Sequence, residues 1–240
     1  MYSQVSDLAY FRILVGKESE IALLEAAASL AQDEYPRLDL ESVISAVDIF
    51  AMRLNLRCKH ASTEIKRLRE LLDFFYREVG FQGNQQNYYD PANSFINKVL
   101  ETKRGIPITL AIIFIELANR IGLDTCGISF PGHFLIKVSL HEGPVVLDPF
   151  TGQSLSQTQV MERLGPYRQR LGPVGDEDVP AGLFLQAASP RDILLRMLRN
   201  LREIYRQQGN TERLRQALDR TLILDPDNGP DRRLRETLET

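Results

Sequence analysis

Apolar residues recur at helical spacing through roughly the first 80 residues of the chain. In residues 21–31, Ile21, Leu24, Ala28 and Ala31 fall on one face, which predicts an amphipathic helix that ends at Pro36. Residue 39 is an Asp placed to cap a second helix, and a third amphipathic pattern covers residues 65–75 and stops near residue 80. Several helices with charged outer faces are typical of a bundle around a shared core.

The middle of the chain combines a polar loop with the most apolar segment. Residues 81–92 are polar, aromatic and rich in turn formers, and they predict a loop followed by a short helix with Phe95 and Val99 facing inward. Residues 108–121 are apolar on almost every face, which predicts a helix that is buried all round. Pro107 suits its first turn, where the missing N–H has no cost.

The apolar period then changes from helical to alternating. Residues 126–130, 134–140 and 145–147 predict three strands, with a turn at 141–144. We expect an antiparallel meander that has one face on the core and the buried helix as its packing partner.

The last part of the chain predicts helices again after a Gly- and Pro-rich segment at 165–182. The apolar positions from Leu198 to Leu224 match a tetratricopeptide helix pair, with residues 207–210 as its turn. One repeat cannot bury its own face, so this tail must pack on the rest of the chain or on a partner. The expected organisation is a helical region with the core at 1–164, a linker at 165–189 and a helical tail at 190–240.

Composition narrows the possible functions. The 240 residues carry 29 basic and 32 acidic side chains, a net charge of −3, which argues against a nucleic-acid protein held by bulk charge. Two Cys and three scattered His argue against a disulfide framework and a metal centre, and we expect no cofactor. The chain shows no signal peptide, and its longest apolar stretch is too short and too charged for a membrane span, so we expect a cytoplasmic protein with free cysteines.

Three blocks in the centre of the chain resemble a transglutaminase-like, papain-related core: RGIPITLAIIFIELANRIGL, CGISFPGHFLIKV and VVLDPFTG. In that superfamily a Gly-x-Cys opens a buried helix, and its thiol is activated by the helix N-terminus and by a His that an Asp orients. The resemblance implies that His133 matches the catalytic His and Asp148 the catalytic Asp. Pro107 stands where the nucleophile belongs, and Thr109 lies two residues further along as a weak substitute.

The whole chain is similar to the bacterial SirB family. The resemblance rests on ALLEAAASLAQDEYPRLDLE, on GFQGNQQNYYDPANSFINKVLETKRGIPITL, and on the PGHF and LDPF motifs followed by the tail. It implies an α+β fold: a helical N-terminal region, a transglutaminase-like core in which a buried helix packs on an antiparallel sheet and which lacks the usual Cys, and a tetratricopeptide-like end. The family has no established biochemical role, so the resemblance indicates the fold more than the function.

His133 and Asp148 each have a structural interpretation beside the functional one. His133 is either a polar, ligand-facing residue or a structural turn residue, and Asp148 either contacts His133 or starts an Asx-turn before Pro149. Adjacent antiparallel strands would bring the two side chains within reach.

The same ambiguity holds for the residues that could line a binding site: Tyr88, Tyr89, Asn93, Asn97, Arg104 and Pro107. The two tyrosines form either a structural plug or a binding lip, and the two asparagines either cap and pack helices or belong to the site. Arg104 neutralises either an internal carboxylate or a ligand anion. Cys126 reads as a buried strand residue, whereas the basic neighbours of Cys58 could lower the pKa of its thiol.

These observations favour a non-enzymatic function. We expect a catalytically degenerate transglutaminase-like protein that binds a peptide or protein partner, with no nucleic-acid or membrane partner. The alternative is a hydrolase or acyltransferase that uses His133 and Asp148 with Thr109, Cys126 or a bound water. A transcription-linked regulator that acts through protein contacts is a third possibility, and no segment resembles a DNA-reading helix.

Overall fold

The computed structural model describes residues 6–168 and 184–238. Its α-helices are α1 (Asp7–Leu14), α2 (Leu23–Ser29), α3 (Leu40–Cys58), α4 (Glu64–Leu72), α5 (Ile96–Thr102), α6 (Pro107–Arg120), α7 (Gln157–Arg168), α8 (Pro190–Gln208), α9 (Thr211–Leu224) and α10 (Gly229–Thr237). The strands are β1 (Gln82–Gly83), β2 (Arg104–Gly105), β3 (Asp124–Ile128), β4 (Leu135–Ser139), β5 (Val145–Asp148) and β6 (Gln153–Leu155). The predicted α+β class is confirmed.

Contacts divide the chain into two units that alternate along the sequence. The first unit comprises residues 1–46, 84–102 and 189–240, and the second comprises residues 47–83 and 103–188. This division differs from the expected one, which joined the N-terminal helices to the core and set the tail apart. Helical periodicity identifies the face that a helix buries but not the element that covers it, so sequence alone cannot assign such helices to a unit.

The second unit is built on an antiparallel sheet in the order β3-β4-β5-β6. The register pairs Ile136 with Leu147 in the central hairpin and Asp148 with Gln153 in the outer one. Helix α6 is buried along its length and packs on β3 and β4, as the sequence predicts. Strand β6 was not predicted, because its three residues are mostly polar and give no alternating signal.

A π-helical turn directs side chains of the second unit toward the end of β5. Helix α4 continues into a π-helix at Asp73–Glu78, and the chain then turns at Gly80, whose φ is +81°. The ring of Phe75 stacks on Phe81 at 4.5 Å and meets Phe114 of α6 edge-on at 5.3 Å. This aromatic packing fixes Tyr76, the next residue, on the turn that follows β5.

The first unit is helical, and its core joins the two ends of the sequence. Ala31 and Phe95 pack against a set of tail side chains: Leu201, Tyr205, Leu214 and Leu218. Of the two alternatives left by the sequence, packing on the rest of the chain is therefore observed, and packing on a partner stays a prediction. Arg220 is completely buried, donates to both carboxylate oxygens of Asp33 at 2.6 and 2.8 Å, and lies 5.0 Å from the ring of Phe11.

The predicted linker at 165–189 overlaps regular structure at its start. Residues 165–168 continue α7, which contains Pro166, and residues 184–188 precede α8. Residues 169–183 lie outside the described residues. The Gly-Pro pair at 165–166 gave a loop signal that the packing of Val160 and Leu164 in the core overrides.

Candidate functional site

His133 is presented by a tight turn between β3 and β4. Its backbone N–H donates to the carbonyl of Phe130 at 3.1 Å, and Gly132 has a φ of +67°, as a Pro-Gly turn with a left-handed third residue requires. An added Cβ at Gly132 would fall 1.7 Å from the hydroxyl of Tyr167, so any other residue there would require the Tyr167 side chain to move. The turn leaves the His133 side chain about one quarter exposed at 25 %.

Asp148 lies at the end of β5, almost completely buried at 3 % exposure. Its Oδ1 is 3.0 Å from Nε2 of His133 and accepts the backbone N–H of Phe150 at 2.9 Å. The second contact is an Asx-turn, so the two interpretations of Asp148 hold together. The strand register places the His and the Asp in contact, as the order of the strands predicts.

Arg163 completes the surroundings of this carboxylate. From α7 its Nη1 donates to the other oxygen, Oδ2 of Asp148, at 2.9 Å. Tyr167 lies one turn further along the same helix, against Gly132. Sequence reasoning missed both residues: Tyr167 fell in the segment taken as a linker, and residues 157–164 before it were not recognised as a helix. The signal was the pair Val160 and Leu164, which are four positions apart and buried.

The hydrogen bonds determine the charge state of Asp148. Burial raises the pKa of its carboxyl, but the bonds from His133, Arg163 and the N–H of Phe150 outweigh burial and lower the pKa to about 2. The carboxylate is therefore ionised at neutral pH. Tyr76 donates its hydroxyl to the carbonyl of Pro149 at 3.1 Å, and burial, together with the charge of Asp148, raises the pKa of its phenol.

Pro107 and Thr109 form the first turn of α6. Pro107 is buried at the first helical position. The Thr109 hydroxyl, which is fully buried, donates to the carbonyl of Ile106 at 3.0 Å and accepts the N–H of Ile106 at 3.2 Å. The hydroxyl thus caps its own helix.

Both thiols have an unfavourable environment for ionisation. Burial raises the pKa of Cys126, which is half-buried on β3. Burial also raises the pKa of Cys58 at the end of α3, and Glu70 adds to this effect, while Arg67 and Arg57 oppose it. The expected lowering of the Cys58 pKa by its basic neighbours is therefore wrong, because desolvation outweighs them.

The remaining candidate residues are divided between the two units. Arg104, in the second unit, donates to the carbonyls of Gly80 and Lys103, both at 3.2 Å. The other four belong to the first unit: Tyr88, Tyr89, Asn93 and Asn97.

Asn93 organises the loop that carries the two tyrosines. It is buried, donates to the carbonyls of Asn87 at 2.6 Å and Tyr88 at 3.2 Å, and accepts from Asn84 at 2.9 Å. Tyr88 and Tyr89 are exposed and meet edge-on at 5.3 Å. Asn97 is half-buried on α5, and within residues 6–168 and 184–238 its side-chain oxygen has no hydrogen-bond partner. These contacts show a packing role for Asn93.

Neither a metal-binding cluster nor a membrane-spanning helix occurs in the described ranges. In residues 6–168 and 184–238, no three or more His, Cys, Asp or Glu side chains cluster so that they could hold a metal ion. No helix in the same ranges combines the length and the apolar character that a membrane crossing needs.

Comparisons with known proteins identify relatives of the chain. A family profile described as the transglutaminase-like superfamily matches residues 41–199. A UPF0162 protein of Xylella fastidiosa is 35% identical over 215 residues, which cover 89% of this chain and 75% of that protein. A UPF0162 protein of Vibrio cholerae is 30% identical over 208 residues, or 86% and 74% of the two chains. Human F-box only protein 21 is 26% identical over 180 residues, 68% of this chain and 27% of that protein. No solved structure matches the chain.

Proposed function

The chain belongs to the transglutaminase-like superfamily and to the UPF0162 family, and we propose that it is a catalytically degenerate member that binds a peptide or protein partner. The observation that carries this proposal is Pro107. It opens the buried helix α6 at the position where the superfamily resemblance places the nucleophilic Cys. A proline side chain has no nucleophilic atom.

The nearby alternatives to a cysteine also argue for binding. The hydroxyl of Thr109 already serves the cap of α6 with both its donor and an acceptor site. The thiol of Cys126 is held in its protonated form by burial, and the thiolate is the nucleophilic form.

The retained pair of His133 and Asp148 has a structural use in this proposal. Because the ionised carboxylate can only accept, Nε2 of His133 carries the proton that faces it. Arg163 also pairs with this carboxylate. The negative charge of Asp148 therefore interacts with two donor groups and does not act on the His133 ring alone. The network fixes the turn at residues 130–133 and the end of β5 as a preformed polar surface for a partner.

The rival function is a hydrolase or acyltransferase. The 3.0 Å contact between His133 and Asp148 favours it, because this is the pairing that orients a general base. It requires a bound water as the attacking group, since Thr109 and Cys126 are poorly suited.

Three finer points belong to the proposal. These are the closer kinship with the SirB family, the tetratricopeptide character of the tail, and a cytoplasmic location. The helix pair α8–α9, with its turn at Gly209 and Asn210, supports the second point, and the free Cys58 and Cys126 support the third.

The first experiment restores the thiol. We expect Pro107→Cys, made in a Cys58→Ser, Cys126→Ser background, to react with iodoacetamide at neutral pH. Adding His133→Ala should slow the reaction on the order of tenfold or more, because a thiol paired with an imidazole ionises more readily. A thiol at position 107 that stays unreactive, or reacts independently of His133, would contradict the assignment of Pro107 to the nucleophile position.

The second experiment tests for a partner. Affinity capture with the full chain should recover a protein that His133→Ala loses, while the exposed control His60→Ala retains it. Point variants are preferable to a truncation before α8, because the tail supplies four of the six buried side chains in the cluster around Ala31 and Phe95. Turnover of amide or ester substrates by the unmodified chain, lost in His133→Ala, would instead favour the rival enzyme.

A further inference from the structure

A groove in the first unit combines an apolar floor with an open side. It has a volume of about 600 Å³ and lies where α1 meets the end of α9. Its floor is formed by Leu8, Leu222, Ile223 and Pro226. Leu8 and Arg12 are four positions apart on one face of α1. Leu222 and Ile223 lie in the last turn of α9 and both border the groove, so two helices present side chains to one space. A groove of this size accommodates a few side chains of a peptide.

The rim of the groove has an excess of positive charge. Arg12, which is exposed on the rim, has neither an ion pair nor a hydrogen bond within the part of the chain that the structure describes. Arg232, also exposed, donates to the carbonyl of Pro226, and no carboxylate in the described ranges pairs with it.

The acidic side chain that lines the groove does not balance this charge. Asp219 already accepts from Arg235 at 2.6 Å and from Arg215 at 3.1 Å, and Arg215 also donates to Glu212 at 2.6 Å, so these two carboxylates are occupied by Arg215 and Arg235. Arg12 and Arg232 are therefore left for groups from outside the unit, and an anionic partner would complement them.

We propose that this groove binds an acidic peptide segment that also carries apolar side chains. The carboxylates of the segment pair with Arg12 and Arg232, and its apolar side chains cover Leu222 and Ile223. The guanidinium fork favours carboxylates, and the apolar floor selects against a purely polar acidic chain. The site goes beyond the function proposed above, because it lies entirely in the first unit and uses no residue of the His133 network.

The test measures fluorescence anisotropy with the full chain and three fluorescein-labelled heptapeptides. The probes are Asp-Leu-Glu-Leu-Asp-Leu-Glu, its basic counterpart Lys-Leu-Lys-Leu-Lys-Leu-Lys, and the polar acidic Asp-Ser-Glu-Ser-Asp-Ser-Glu. We expect saturable binding of the first probe only, weakened by raising the salt concentration.

Variants locate the binding. We expect Arg12→Glu to weaken binding of the first probe on the order of tenfold, and Ile223→Ser to weaken it as well, while both keep a wild-type circular dichroism spectrum. Arg37→Glu is the matched control, because Arg37 is exposed in the same unit, lacks a partner among the described residues and does not line the groove.

Four outcomes would overturn the proposal. They are no saturable binding of the first probe, equal binding of the polar acidic probe, equal loss in Arg37→Glu, and a preference for anionic phosphatidylserine vesicles over the peptide. Because His133→Ala leaves this groove unaltered, it should not change the peptide affinity. The failure of this site and the failure of the proposed function are thus separate results.

Discussion

Replacing Asp148 with Asn tests how strongly its neighbours hold a buried carboxylate. The pKa of Asp148 is lowered from 3.8 to about 2 in the folded chain. Each tenfold change in the acid constant is worth about 1.4 kcal/mol, so the charge stabilises the fold by about 2 kcal/mol at neutral pH. The pKa of Asp148 is lower in the folded chain than in the unfolded chain. The charge therefore contributes its full share to the free energy of unfolding above about pH 4, and this share is lost as the pH falls through 2.

The assay is urea unfolding followed by circular dichroism at several pH values. Asp148→Asn should lose about 2 kcal/mol at pH 7, and the difference from wild type should shrink to about 1 kcal/mol at pH 3. Asp124→Asn is the control, since Asp124 is an exposed residue of the same sheet and should change stability little at either pH. A gap that does not vary with pH, or that stays below about 0.5 kcal/mol, would refute the electrostatic account of this site.

Two further substitutions test the turn and the helix cap. Gly132→Ala should cost about 2 kcal/mol more than Gly80→Ala in urea unfolding, because both have positive φ but only position 132 meets a neighbouring side chain. A Tyr167→Ala background should remove most of that excess, and its persistence would contradict the packing argument. Thr109→Val keeps the shape of the side chain but should lose about 1 kcal/mol, because it removes the hydroxyl that caps α6. Equal stability of Thr109→Val and the wild type would show that the cap is unimportant.

The core of the second unit was largely predictable because its signals are local. A run of apolar residues on every face predicts the burial of α6, and alternation predicts β3 to β5. The contact between His133 and Asp148 followed from the order of two adjacent strands. Arg163 could not be found in this way, because a turn, strand β6 and the start of α7 separate it from its partner Asp148 in the sequence. In addition, the Gly-Pro pair at 165–166 predicts a loop and so hides the helix that carries Arg163.

The set of segments that pack together in the first unit could not be predicted from the sequence, for a different reason. Its core depends on pairs such as Asp33 and Arg220, which are 187 positions apart and have no shared motif. An acidic residue in a turn and an arginine in an amphipathic helix both look solvated when each is considered alone. Only the fold shows that they neutralise each other in the interior.

The order in which segments of the first unit leave the ribosome delays the packing of its N-terminal helices. Ala31 and Phe11 are synthesised before Leu218 and Arg220, which cover them and follow roughly 200 residues later. At about 5–20 residues per second, the early helices wait about 10–40 s with their apolar faces uncovered. The first unit can therefore complete its folding only after the second unit has been synthesised.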